Sequence, residues 1–169
     1  MELIDFGPLS ERQRAELEGD EHDPWDAGDW TLRFAPKRQH VGLRDDHGRL
    51  VASAGMLEVE VEVDRRRFPV VGLGGVIVNA GHRGHGYARE VVNAAIERAE
   101  RLGPDFMLLF CHPDRVGLYR KLGFTEIAGS AMVEQPEGRV TMPMVAMWRA
   151  LRTGAIWPEG SVAVLGLPF

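Results

Sequence analysis

One ten-residue segment, Asn79-Ala80-Gly81-His82-Arg83-Gly84-His85-Gly86-Tyr87-Ala88, sets three glycines, two histidines and an arginine between an apolar run and a stretch of helical periodicity. The first turn of a helix leaves backbone N–H groups without partners and carries the positive end of the helix dipole. Small residues ahead of it let those groups approach an anion closely, and Arg83 adds full charge, so the segment has the chemistry of a diphosphate cradle. The plain alternative is a connecting turn. A dinucleotide-binding loop fits less well, because Gly-x-Gly-x-x-Gly is absent and only Gly84-x-Gly86 remains.

Other reactive side chains are placed less tellingly. Cys111 ends an apolar run with no Cys/His/Asn pattern around it, the setting of inert packing rather than of a nucleophile. His82 and His85 share one loop without a carboxylate or third ligand nearby, which implies no metal. Trp25 and Trp30 stand among Asp23, Asp26 and Asp29 in the acidic, turn-rich residues 19–36, a mixture that suits a functional loop or short helix.

The surrounding pattern predicts the elements that hold these groups. A short strand over residues 1–6 leads to a capping box, Ser10-Glu11-Arg12-Gln13, and a helix to about Glu18. Strands over 40–44 and 49–63 flank an Asp45-Asp46-His47-Gly48 turn and form an antiparallel hairpin. The second alternates at its end, with Leu57, Val59, Val61 and Val63 on a dry face and Glu58, Glu60, Glu62 and Asp64 on an acidic one. Residues 68–78 read as a strand interrupted by Gly72, Gly74 and Gly75, which marks a bulge or a close backbone approach. From Tyr87, the positions Ala88, Val91, Val92, Ala95, Ile96, Ala99 and Leu102 repeat at helical spacing until Gly103-Pro104. The continuous apolar run 106–111 suits a strand buried on both faces, giving a right-handed βαβ unit with parallel strands. A short helix over 115–122 stops at Gly123, β-like stretches follow at 124–134 and 139–148, and 161–165 reads as a final strand after a turn at Trp157-Pro158-Glu159-Gly160.

Length and composition bound the rest. A chain of 169 residues with 44% hydrophobic content suits one domain over 1–169. No apolar run approaches the roughly 18 residues that cross a bilayer, and the charged residues 1–21 are unlike a signal peptide, so a cytoplasmic protein with no membrane partner is expected. A single cysteine excludes an internal disulfide and a cysteine-ligated metal cluster. The net charge of −5 disfavours nucleic acid and favours cationic small molecules.

Arg83-x-x-Gly86-x-Ala88 resembles the acetyl-CoA loop of the GNAT superfamily of N-acetyltransferases, written Arg/Gln-x-x-Gly-x-Gly/Ala. Past the next strand, Tyr119-Arg120-Lys121-Leu122-Gly123-Phe124 resembles the family's Tyr-x-x-x-Gly-Phe signature at its usual distance. Two ordered motifs are far more specific than one, and the likeness is strongest over 48–124. It implies an α/β (α+β) fold with a mixed, mostly antiparallel twisted sheet of about six or seven strands, a central parallel βαβ unit and flanking helices. It also implies acetyl-CoA as cosubstrate, no metal, and direct acetyl transfer to a primary amine in a ternary complex. By position, the pantetheine arm runs along the backbone of Val76, Ile77 and Val78, and the diphosphate sits on Arg83, Gly84, His85, Gly86, Tyr87 and Ala88. Tyr119 matches the tyrosine that protonates or stabilises the departing thiolate, and a backbone N–H around Gly75 or Val76 is the implied oxyanion donor. His112 occupies the place of a cofactor-contacting asparagine; contact with the pantetheine and an ordinary strand-end role both stay open.

Many relatives carry a glutamate on the glycine-rich strand, but 68–78 contains no carboxylate and Gly74 stands where one is expected. Deprotonation of the amine then runs through water, with Asp26, Asp29, Glu58 and His112 as candidates to order it. Gly48-Arg49-Leu50-Val51-Ala52, the loop, the Tyr119 segment and Trp148-Arg149-Ala150…Ile156-Trp157 follow an order similar to the aminoglycoside 2′-N-acetyltransferases. That likeness implies a small cationic acceptor near Asp26, Asp29, Glu58 and Trp157, with 149–169 packed on or near its site. A non-catalytic acetyl-CoA sensor and a protein or peptide N-acetyltransferase remain alternatives, and pairing of the last strands would build a homodimer.

Overall fold

In the computed structural model, which describes residues 1–26, 28 and 31–169, the Ser10 hydroxyl accepts from the Gln13 N–H at 3.2 Å, and the Gln13 side chain accepts from the Ser10 N–H at 2.9 Å. This reciprocal cap starts α1 (Glu11–Glu18), and Gly19 at φ +57 ends it. Ahead of it lies β1 (Glu2–Phe6), and after the loop that follows come β2 (Gln39–Arg44), β3 (Leu50–Val63) and β4 (Arg66–Val78). β3 and β4 are joined by a two-residue turn, Asp64-Arg65, with φ of +46 and +65 at those positions. Both residues left-handed is the turn whose twist matches the flanking strands.

Next come α2 (Tyr87–Ala99), β5 (Phe106–Cys111), α3 (Val116–Lys121), β6 (Thr125–Glu126), β7 (Met132–Gln135), β8 (Gly138–Thr141), β9 (Val145–Ala150) and β10 (Val162–Val164). Among the described residues the ladder order is β6-β9-β5-β4-β3-β10-β7-β8. The first half of β3 pairs with β2, which pairs with β1, and its last residues pair with β10. Among the described residues the sheet thus holds ten strands rather than the six or seven expected. Residues 124–148, read as two strands, break into the short β6 to β9, and the tail adds β10. Among the described strands only β4–β5 and β10–β7 pair in parallel, and α2 supplies the crossover between β4 and β5.

The predicted double burial of β5 is observed. Met107, Leu109 and Cys111 join the core beneath α2 and α3, with Val71, Leu73, Val91, Val92, Ala95 and Ala99. Phe106, Leu108 and Phe110 join a second core on the other face with Val61, Val63, Trp157 and Phe169. Side chains alternate along a strand, so six consecutive apolar residues serve two cores at once. Each Val or Ile that α2 buries contributes about 1.5–3 kcal/mol, and its alanines keep the helix close to the sheet. Among the described residues no helix is long and apolar enough to cross a membrane.

Candidate active site

The parallel strands part company halfway along. β4 and β5 pair at Val71↔Met107, Gly72↔Leu108 and Leu73↔Leu109, and not beyond. On the other side of β4 the register slips: Ser53 faces Ile77 and Gly55 faces Gly74, so Gly75 and Val76 together oppose Ala54. Gly75 has φ +58, a conformation glycine adopts without the strain a Cβ would bring. The extra residue bends β4 away from β5, and the predicted bulge is therefore present. A cavity of about 1020 Å³ opens at the divergence. It runs from the N-terminus of α2 past Val76, Ile77 and Val78 to the loop after α1 and the end of the chain's tail.

One half of this cavity is built from backbone. Gly86, at φ +82, is the N-cap of α2 and provides no side-chain cap, so the first N–H groups of the helix keep their valence for a ligand. Gly84 also has positive φ, and no atom lies within 4 Å of where a Cβ would stand on either glycine. Arg83, Gly84, Gly86, Tyr87 and Ala88 line the cavity, as does His82. His85 does not; its Nδ1 lies 2.9 Å from the Arg83 carbonyl oxygen and its ring stacks on Tyr87. Asn79 fixes the loop's start, donating to the Glu16 carbonyl of α1 at 3.0 Å while its Oδ1 accepts from the Gly81 N–H. Arg83 is less free than its role as a phosphate ligand suggests. Its Nε donates to the Val78 carbonyl, and both terminal nitrogens donate to the Glu21 carboxylate at 2.7 and 2.6 Å.

Tyr119 reaches the cavity from α3. Its ring meets Phe124 edge-on at 5.9 Å, so it packs as a core residue as well, and its hydroxyl makes no hydrogen bond among the described residues. Burial, then proximity to Cys111, raises the phenol above its ordinary pKa, which keeps it a proton donor at every physiological pH. Cys111 is pushed up to about 11, chiefly by burial, and lies 3.8 Å from the Met147 sulfur; it is a thiol, not a thiolate. His112 lines the cavity too, with Nε2 2.8 Å from the Asp26 carbonyl oxygen. The Asp26 carboxylate stands 3.7 Å from His112 and 3.8 Å from Arg115. Among the described residues no group of His, Cys, Asp and Glu is placed to hold a metal.

The other half of the cavity is built from side chains: Trp25, Phe34, Lys37 and Phe169. Trp25 Nε1 donates to Glu18 at 2.6 Å and the Arg14 guanidinium stands over its ring. The tail is strapped on by the Ala35 N–H donating to the Pro168 carbonyl at 2.7 Å, and the buried Phe169 ring packs on Phe110. A Cβ at Gly74 would lie 2.5 Å from the Phe169 carbonyl carbon and 3.0 Å from Lys37 Cε. No glutamate fits there, which gives a steric reason for its absence. Lys37 is pushed down to about 8, first by burial and then by Arg14.

Of the acceptor-side residues suggested by sequence, Asp26 lines the cavity. Glu58 is exposed on β3 opposite Val71, away from the lining. Trp157 is 9% exposed, within a cluster of Phe68, Phe106 and Trp148, and does not line it. Asp29, with Trp30, lies outside the described residues. Lys37, Phe34, Glu21 and Phe169 were missed. The one available signal was the change from the acidic residues 20–29 to a basic end of the loop, Arg33, Lys37 and Arg38.

A strand pair split by a bulge, leading to an uncapped glycine-led helix, gives a cleft suited to a ligand with an anionic end and a linear amide-bearing arm. The acetyltransferase (GNAT) domain family matches residues 19–127, well over half of the chain, and the protein belongs to that family. Among curated proteins it is similar to glucosamine 6-phosphate N-acetyltransferase 1 of Oryza sativa subsp. japonica, 38% identical over 79 residues. That match covers 47% of this chain and 47% of the rice protein, so the chain spans about half the length of that relative. Among solved structures, the Escherichia coli GNAT family N-acetyltransferase YhbS, in complex with CoA, shares the fold with TM-score 0.61 and 17% identity, over 98% of this chain and 94% of that one. The E. coli ribosomal-protein-S18-alanine N-acetyltransferase gives TM-score 0.57 and 18% identity, over 92% of this chain and 100% of that one. These relatives do not confirm the particular likeness to aminoglycoside 2′-N-acetyltransferases.

Proposed function

We propose that the protein is an acetyl-CoA-dependent N-acetyltransferase that moves an acetyl group directly to the primary amine of a small acceptor. The observation that carries this reading is the single cavity joining the uncapped start of α2, the parted strands at Gly75 and the Tyr119 side chain. Family membership supports it. Acetyl-CoA supplies the activated acyl thioester. Arg83, Gly84, Gly86, Tyr87 and Ala88 hold the diphosphate end, and His85 positions the loop through its bond to the Arg83 carbonyl. The edge of β4 along Val76, Ile77 and Val78, unpaired toward β5, offers backbone groups to a linear amide-bearing arm. A backbone N–H at Gly75 or Val76 stabilises the developing oxyanion; as the amine nitrogen bonds to the acetyl carbon and the carbon–sulfur bond breaks, Tyr119 donates its hydroxyl proton to the leaving sulfur, and the proton released by the amine passes through water and restores the phenol.

Calorimetric titration with acetyl-CoA, followed by thiol release with a panel of amines, tests the reading. Binding with release from one amine class is the expected result. Gly86→Val, which puts a branched side chain at φ +82 over the helix start, should weaken binding about tenfold or more. Binding without release from any amine favours a sensor, and absence of binding overturns the reading.

A further inference from the structure

At the acceptor end of the cavity stands a lysine, Lys37, that makes no ion pair among the described residues. The Lys37 stem lies against Gly55 and Gly74, and its ammonium stands 5.8 Å from the centre of the Phe34 ring, at the outer reach of a cation–π contact. Of the side-chain carboxylates that line the cavity, Glu21 is engaged by Arg83, Asp26 by Arg115 and His112, and Asp23 by the Gly28 N–H, while the backbone carboxyl of Phe169, which shares the Gly74 surface with the Lys37 stem, makes no ion pair with Lys37. Arg14, the neighbouring cation, faces Glu18. Among the described residues, Lys37 has neither an ion pair nor a hydrogen bond.

A largely buried ammonium without a partner is costly. Burial holds Lys37 down to about 8, which still leaves it mostly charged at neutral pH. Such a charge is compensated when a ligand brings the opposite one. The location narrows that ligand: Lys37 Cε lies 3.0 Å from a Cβ position on Gly74 and 3.8 Å from that on Gly75, at the bulge where the strands part. Anything bound there is next to the acyl-transfer centre.

We propose that Lys37, with Arg14 behind it, binds an anionic group of the acceptor, so that the substrate carries both a primary amine and a carboxylate or phosphate monoester within a few bonds. The amine of this acceptor rests on the acetyltransferase reading; the anion does not. Its charge requirement differs from the purely cationic acceptor suggested by sequence, since Lys37 repels a polycation. The same ammonium also disfavours protonation of a neighbouring amine, and so favours the neutral nucleophile that transfer needs.

Two arms test it on the intact protein. In the first, thermal midpoints are measured with inorganic phosphate, succinate or chloride at matched ionic strength. Phosphate or succinate should raise the midpoint by about 2 °C or more in the native protein and not in Lys37→Met; which of the two does so separates the sources. In the second, thiol release compares glucosamine 6-phosphate with glucosamine, and glutamate with glutamine. The preference in kcat/KM for one anionic member should be about tenfold or more, should collapse in Lys37→Met and should return in Lys37→Arg. Calorimetry with acetyl-CoA reports that each variant keeps its fold and cofactor half. Equal or better turnover of the neutral partners overturns the proposal, as does an anion preference that survives in Lys37→Met. Anion stabilisation without acetyl-CoA binding would keep the anion site and sink the enzyme reading instead.

Discussion

The two halves of the cavity recognise by different means. The proposed cofactor half is made largely of backbone: a bulged strand edge and a helix start led by Gly84 and Gly86, to which Arg83 adds formal charge. The acceptor half is made of side chains, Trp25, Phe34, Lys37 and Phe169, contributed by the loop after α1 and by the tail. Backbone groups read a constant ligand and admit almost no variation, because each depends on a φ that only glycine adopts freely. Side chains on a loop and a tail can change without disturbing the sheet. The difference predicts that damage to the first half abolishes cofactor use, and that damage to the second alters the choice of acceptor.

Tyr119 stands where the halves meet, and its loss should have the largest effect. Tyr119→Phe removes the hydroxyl proposed as proton donor and keeps the ring that packs on Phe124. We expect kcat to fall about 100-fold or more, with acetyl-CoA affinity within about threefold. Full activity in this variant would remove Tyr119 from the chemistry and leave it as packing.

A second test concerns the acceptor half alone. Lys37 titrates at about 8 in the folded protein against 10.5 ordinarily, so between those values the unfolded chain holds the proton more tightly and stability rises with pH. The penalty is full below about 8 and is relieved toward 10.5. The charged or titratable groups near it among the described residues are Arg14 of α1, His40 of β2 and the backbone carboxyl of Phe169; burial also holds His40 low, and its Nδ1 lies 2.8 Å from the Gly7 carbonyl oxygen. Lys37→Met should therefore be more stable than the native protein at pH 7 by up to about 3 kcal/mol, with the gap narrowing at pH 10. Urea midpoints at the two pH values read this directly. A gap that is absent at pH 7, or widens at pH 10, would show that Lys37 is already compensated.

The same contrast decides what was legible in the sequence. α2 and β5 were plain because periodicity and continuous apolar content follow from the faces they bury, and the α1 cap because its hydrogen bonds are local. The Arg83 to Ala88 loop was readable because a bare helix start demands glycine at fixed offsets. The acceptor wall had no such signature. Arg14, Trp25, Phe34, Lys37 and Phe169 are scattered along the chain, and only tertiary packing brings them to one cavity. Trp157 looked like an acceptor contact by likeness alone, whereas the structure spends its ring on the second core.

The smallest expected effect probes how far the halves are independent. Glu21, in the loop that leads to the acceptor wall, holds the guanidinium of the cofactor loop in a two-pronged pair. A diphosphate arriving at α2 competes with that carboxylate for Arg83. The pair is about half exposed on the arginine side, so solvent screens it and its release is worth less than about 1 kcal/mol. Glu21→Gln should thus tighten acetyl-CoA binding two- to fivefold at low ionic strength, roughly the yield of one screened pair, and the gain should shrink in 0.5 M salt, where the Debye length falls to about 4 Å. Calorimetric titration at the two ionic strengths measures it. If binding instead weakens, Glu21 orients Arg83 for the phosphate rather than competing with it, and the loop that shapes the acceptor wall also organises the cofactor half.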